Sequence, residues 1–411
     1  MHAKNASMIR KVPVDSLRPG MYVHDIGVGW MDHPFAFSRF PLKSEDQVAE
    51  LRALGLQAVY IDTAKGLDVA DAPTAEEVRA EISAQLLQVA AEQPKPVRPV
   101  SVSEEIEHAR VLHHRAHDVV QDIMHDARLG KAIHVENVGA LVDDITESIV
   151  RNSGALLSML RLKNKDDYTF LHCVSVGTLM VAFGRSLGMH GEELRQAGIG
   201  GFVHDVGKMQ VPDAVLNKPG RLSDAEFALI RTHPEAGHRI LLDSSGVGAI
   251  PLDVTLHHHE RMDGKGYPHR LPGENISTLA RLAAIVDVYD AVTSDRVYHK
   301  GMAPTEALRR MLEWAHGGHF EIPLLKQFIR CVGIYPTGTM VRLESGRLAV
   351  VTEQNIQDLL KPKVRAFFST RANCHIAPED VDLARDGAEC IVSDEAPEKW
   401  GLDAGRFLQA A

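Results

Sequence analysis

Apolar and polar positions change period along this chain, and each change predicts a different kind of element. From Lys11 to Val69 short apolar runs are broken by turn residues. Val12–Leu17 and Met21–Ile26 flank Arg18-Pro19-Gly20, which predicts two short strands joined by a turn. Val48, Leu51 and Leu54 recur at helical spacing behind Ser44, a good N-cap, with Gly55 as the stop. Ala58–Asp62 reads as a buried strand. Thr74–Ala91 predicts a helix, and Gln93–Pro99, with its three prolines, predicts a linker. Ser103–His125 resumes a helical period, and helices dominate from there to Val332. Met340–Leu343 and Leu348–Val351, separated by Glu344-Ser345-Gly346, then predict a β-hairpin. The tail from Asn373 is polar and has no assignable pattern.

The expected fold is therefore mainly α. A small α+β N-terminal domain, a candidate regulatory unit, spans residues 1–92. A linker and connecting helices follow at 93–150, a helical domain at 151–335, and a short β-hairpin with a tail at 336–411. With 411 residues the chain has room for several cores. A net charge of −10 speaks against a binder of nucleic-acid polymers. It leaves phosphate-bearing small molecules open, because bound cations reverse the local sign of a pocket. The four cysteines have no CxxC spacing and read as reduced thiols. No signal peptide and no apolar run long enough to span a membrane is apparent, so a cytoplasmic protein is expected.

The chemistry is carried by polar residues set into apolar helical runs. Glu193–Lys208 places Leu194, Ala197, Phe202 and Val203 near helical spacing and then presents His204 and Asp205. Burying such a pair is costly unless it is partnered or bound to metal. Lys208, four residues after His204, is expected on the same helix face, within reach of a phosphate. His172 lies in the apolar Tyr168–Ala182 run, His233 precedes Pro234, His258 and His259 follow Val254-Thr255-Leu256, and Asp287 interrupts Leu282–Tyr289. Together they suit two divalent cations that clamp a phosphodiester.

These positions, with His258–Pro268 reading HHERMDGKGYP, resemble the HD-GYP family of bacterial cyclic di-GMP phosphodiesterases over about Asp166–Val332. Pro19-Gly20-Met21-Tyr22-Val23 and His33-Pro34-Phe35 resemble the domain of unknown function that often precedes that module. The resemblance implies an all-helical HD-type phosphohydrolase domain with a dinuclear centre. His172, His204, Asp205 and Asp287 would hold one metal, and Asp205 would bridge to a second held by His233, His258 and His259. A metal-bridging hydroxide would open cyclic di-GMP to pGpG, with GMP as the product of any further cleavage. Fe or Mn is the expected metal, and Ni or Zn suits the same donors. Lys208 would steady the phosphate or assist the leaving 3′-oxygen. Arg296 matches the phosphate-contacting position, and Tyr267 lies beside the nucleotide pocket.

Two departures bear on this. Three-metal members carry Glu one turn before the first His ligand, where this chain has Tyr168 beside Asp167, so two cations are expected. His299 and then Lys300 follow Arg296 where the family often has a basic residue three positions on. The competing reading is a cyclic di-GMP-sensing or protein-interaction module acting through the Gly-Tyr-Pro loop, and an HD-type hydrolase of mononucleotides is a third.

Overall fold

The computed structural model describes residues 9–26, 39–54, 56–69, 71–91, 100–160, 168–218, 220, 222–295, 300–355, 357–385, 387 and 389–408. The expected linker at Gln93–Pro99, the His33-Pro34-Phe35 motif and Arg296 lie outside these residues. At the N-terminus β1 (Ile9–Pro13), β2 (Tyr22–Asp25), β3 (Phe40–Pro41) and, after α1 (Glu45–Ala53), β4 (Ala58–Asp62) form an antiparallel sheet of order β1-β4-β2-β3. Ser44 caps α1 by accepting from Gln47 N, as its residue type favours. Val12, Val23, Leu42, Val48, Leu51 and Ile61 fill the space between sheet and helix.

The helices α2 (Ala75–Ala91), α3 (Val102–Arg128), α4 (Glu136–Met159), α5 (Tyr168–Ser186) and α6 (Gly191–Val203) come next. They are followed by α7 (Asp213–Leu216), α8 (Asp224–Ile230), α9 (His233–Leu242), α10 (Ala249–His257), α11 (Thr278–Thr293), α12 (Pro304–His316) and α13 (Ile322–Val332). Helix α3 begins with a full capping box, Ser101 with Glu104. The deepest core joins α5, α10, α11, α12 and α13 through Phe183, Val254, Ile285, Met311 and Phe328. Ile82 of α2 is buried in that same cluster, so the N-terminal segment shares a core with the helical bundle.

The expected hairpin is present as β5 (Met340–Leu343) and β6 (Arg347–Glu353). It is part of a larger sheet. With β7 (Lys363–Ser369), β8 (Cys374–Asp382) and β9 (Ile391–Asp394) it forms an antiparallel sheet of order β8-β7-β6-β5-β9, followed by α14 (Pro397–Trp400). Apolar residues line both faces, Val350 and Phe367 on one and Val341, Val351 and Val364 on the other. Among the described residues no helix is long and apolar enough to cross a membrane.

Candidate metal centre

Two close approaches of backbone assemble the centre. At Gly177 on α5 an added Cβ would stand 2.4 Å from the Phe202 ring of α6, so a larger residue would push these helices apart. That contact brings His172 on α5 to His204 at the end of α6, their ring centroids 5.2 Å apart. The α6 helix stops at Val203, and the chain continues as a 3-10 turn over Val206–Gln210. This corrects the expectation of one helix carrying His204 and Lys208 on a shared face. At Gly207 an added Cβ would stand 2.0 Å from His233 O and 2.4 Å from Gly237 N. The missing side chain lets the turn press against the start of α9, which sets Asp205 beside His233.

Four of the rings are held by the far nitrogen. His204 Nδ1 lies 2.8 Å from Gly201 O, His233 Nδ1 lies 2.8 Å from Ile230 O, and His258 Nδ1 lies 2.9 Å from Thr255 O. A carbonyl oxygen can only accept, so Nδ1 carries a proton and Nε2 is the nitrogen that faces the centre. His172 is held differently: its Nδ1 stands 2.7 Å from the Asp290 carboxylate.

The seven expected residues converge. His172 Nε2 is 2.9 Å from Asp287 Oδ1 and 3.5 Å from Asp205 Oδ2. His204 Nε2 is 3.4 Å from Asp205 Oδ2 and 3.6 Å from Asp287 Oδ1. The other oxygen, Asp205 Oδ1, faces His233 Nε2 at 3.3 Å and His258 Nε2 at 3.8 Å. His259 Nδ1 approaches Asp287 Oδ2 at 3.8 Å. Ligand atoms of His172, His204 and Asp287 lie within 4.8 Å of one another, as do those of Asp205, His233, His258 and His259. Asp205 thus turns one oxygen toward each group.

The electrostatics fit cations. His204 Nε2, Asp205 Oδ1 and Asp287 Oδ2 are buried with no hydrogen-bond partner, a costly arrangement that divalent ions would relieve. Burial opposes the charged forms of Asp205 and Asp287, yet Lys208 with His204 and His233 holds the first, and His172 with His204 the second, well below the ordinary carboxylate range. Burial, with His204 and His233 beside it, lowers His258 to about 3, and burial also lowers His233 and His259. These three imidazoles are neutral at pH 7 and ready to act as ligands. His204 goes the other way: burial lowers it, but Asp205 and Asp287 prevail and push it up to about 10. Buried imidazoles and carboxylates in two groups that share Asp205 are a donor set suited to divalent metal ions.

Lys208 Nζ donates to Asp205 Oδ2 and so caps the centre on its carboxylate side. Tyr267 stacks on His259 with ring centroids 4.6 Å apart and planes at 27°. Both line a cleft of about 540 Å³ with His258, Arg231, Ala53 and Leu54. Glu260 pins the loop that carries Tyr267, accepting from His269 N at 2.7 Å and Leu271 N at 3.0 Å. The sequence reading passed over Asp290, Glu260 and Arg231. Asp290 ends the apolar run that Asp287 interrupts, where a polar residue is unremarkable.

A family model described as an HD domain matches residues 149–322, and one described as a domain of unknown function (DUF3391) matches residues 9–138. The chain is 47% identical over 397 residues to the cyclic di-GMP phosphodiesterase PA4108 of Pseudomonas aeruginosa, covering 96% of this chain and 94% of that protein. It is 32% identical over 219 residues to the cyclic di-GMP phosphodiesterase response regulator RpfG of Xanthomonas campestris, covering 52% of this chain and 54% of that protein. It is 31% identical over 166 residues to the 3′3′-cGAMP-specific phosphodiesterase 1 of Vibrio cholerae, covering 40% of this chain and 38% of that protein. At that coverage the similarity to the Pseudomonas protein takes in both matched regions. The chain belongs to the HD-GYP family of cyclic di-GMP phosphodiesterases.

Proposed function

We propose that this chain hydrolyses cyclic di-GMP to the linear dinucleotide pGpG at a dinuclear centre. The observation that carries this reading is the placement of Asp205, with Oδ2 toward His172 and His204 and Oδ1 toward His233 and His258. His172, His204, Asp205 and Asp287 would hold one cation, and Asp205, His233, His258 and His259 the other. Fe or Mn suits these donors, as do Ni and Zn. When bound, such a pair supplies Lewis acidity toward a phosphodiester and makes water nucleophilic at neutral pH.

The chain's own groups do the rest. The carbonyls of Gly201, Ile230 and Thr255 fix the tautomers and aim the rings, so little reorganisation accompanies binding. Lys208 holds an ammonium beside Asp205, where Nζ can take a phosphate oxygen or give a proton to the departing 3′-oxygen. Tyr267, stacked on His259, lines the cleft in which a guanine would lie. Arg296 supplies the further phosphate contact that the family motif assigns to its position. A sensing or protein-binding module without catalysis would tolerate loss of ligands, and the complete set argues against that reading.

The test is product analysis with Fe- or Mn-loaded protein prepared without oxygen, given cyclic di-GMP and 3′3′-cGAMP in parallel. Cleavage of cyclic di-GMP to pGpG is expected, and the same chromatogram reads any further conversion to GMP. Asp205→Ala should lose both ions and all hydrolysis. Fully metallated wild-type protein that leaves cyclic di-GMP intact would overturn the proposal.

A further inference from the structure

Arg231 is the C-cap residue of α8 and comes two positions before His233. Its guanidinium carbon stands 4.5 Å from the centroid of the Tyr267 ring and 5.8 Å from that of Phe227. Tyr267 in turn stacks on His259, so guanidinium, phenol and imidazole form a layered series that ends at the metal donors. Arg231, Tyr267, His258 and His259 line one cleft.

The charge of Arg231 is unanswered there. Arg261, on the same cleft, is tied by Asp263 through contacts of 3.1 and 2.8 Å. Among the described residues, no carboxylate stands within ion-pair distance of Arg231 and none accepts a hydrogen bond from it. A guanidinium held over an aromatic ring still has its N–H groups for anionic acceptors, in the fork that matches a phosphate. The two aromatic neighbours stand beside it and no carboxylate takes that fork, which leaves it for an anion in the cleft.

A cyclic dinucleotide carries two phosphodiesters, and only one can sit on the donor set at a time. The second brings a negative charge into the same cleft, close to the buried carboxylates Asp205 and Asp287. We propose that Arg231 grips this second, uncleaved phosphate and so sets the affinity for cyclic dinucleotides. The proposal rests on the reading of the centre as a cyclic dinucleotide phosphodiesterase.

The test compares substrates with and without a second phosphate. Arg231→Ala should raise KM for cyclic di-GMP and for 3′3′-cGAMP alike by about tenfold, the scale of one hydrogen-bonded charge contact, with kcat changed much less. The loss in kcat/KM for bis(4-nitrophenyl) phosphate, which has a single diester, should be about tenfold smaller than the loss for cyclic di-GMP. Arg231→Lys should recover part of the affinity, since it keeps the charge but not the fork. Metal content and the thermal transition of each variant control for folding. An unchanged KM would overturn the assignment, as would an equal loss on both kinds of substrate. A loss confined to cyclic di-GMP would move Arg231 to a guanine edge and equally overturn it. Wild-type protein that cleaves bis(4-nitrophenyl) phosphate but neither cyclic dinucleotide would instead sink the reading beneath it.

Discussion

His172 is clamped by Asp290, whose Oδ2 stands 2.7 Å from Nδ1, while Nε2 on the far side of the ring lies 2.9 Å from Asp287 Oδ1. Both residues are buried, so the ring has a single orientation that aims Nε2 at the centre. Asp290→Ala should lower metal retention and activity by roughly 10–100-fold, and Asp290→Asn by less, because the amide oxygen can still accept from Nδ1. Metal content after dialysis against a weak chelator, read beside kcat, checks this. An alanine variant that keeps its metal and its rate would show that Asp290 only fills space.

The residues legible in sequence are those whose polarity breaks an apolar run: His172, His204, Asp205, His233, His258, His259 and Asp287. Burial makes such a break costly, so it signals a function before any fold is known. Asp290 ends the run that Asp287 interrupts, and a second carboxylate one turn on reads as an ordinary polar position. Arg231 carried no signal, because its meaning comes from Tyr267 on a distant loop. The helix end at Val203 was hidden because tertiary contact, with Gly207 pressed against His233 O, decides where the turn tightens. In the C-terminal region β5 and β6 are buried and readable, whereas β8 is an edge strand with mostly exposed residues and no alternation. Its pairing with β7 is what makes it a strand.

The N-terminal sheet is fastened to the bundle through α12. Glu313 takes Lys11 Nζ at 3.0 Å and accepts from the Tyr60 hydroxyl, and Arg310 pairs with Asp25 at 2.8 Å. Burial and Glu313 together push the Tyr60 hydroxyl well up. The same docking places Ala53 and Leu54 on the wall of the catalytic cleft. Glu313→Ala should cost about 1–3 kcal/mol of stability, because it leaves the buried Tyr60 hydroxyl without its acceptor. KM should change while metal content does not. Thermal unfolding and steady-state kinetics on the full chain check both, and unchanged values would mean that these contacts neither hold the domain nor shape the cleft.

Metal uptake should release a proton. In the metal-free protein His204 is held up to about 10 by Asp205 and Asp287 against the effect of burial, above its ordinary 6.5. A group raised in this way stabilises the metal-free fold fully below about pH 6.5 and loses that contribution as pH rises through about 10. A cation that takes Nε2 must first displace the proton. His258, lowered to about 3, has none to lose at neutral pH. Affinity should therefore climb between about pH 7 and pH 10 with a release of about one proton per His204-side ion. Calorimetric titrations at pH 8 in buffers of different ionisation enthalpy measure that number, and zero release would mean that His204 is already neutral.

The number of ions turns on Tyr168, the first residue of α5 and one turn before His172. In three-metal members of the family that this chain resembles, that position would carry a Glu ligand. A phenol has a pKa near 10 and is a poor ligand for hard cations at neutral pH. Wild-type protein should therefore hold two ions per chain. Two ions should suffice for the first cleavage, while the terminal phosphate of pGpG would lack a cation of its own, so release of GMP should be slow. Tyr168→Glu adds a carboxylate at that position. It should bring a third equivalent of metal and faster GMP formation, while the rate of ring opening changes little. Metal content per chain and a time course of pGpG and GMP decide the matter. Three equivalents in the unmodified protein would show that another ligand, such as Asp167, completes the third site and that Tyr168 does not limit it.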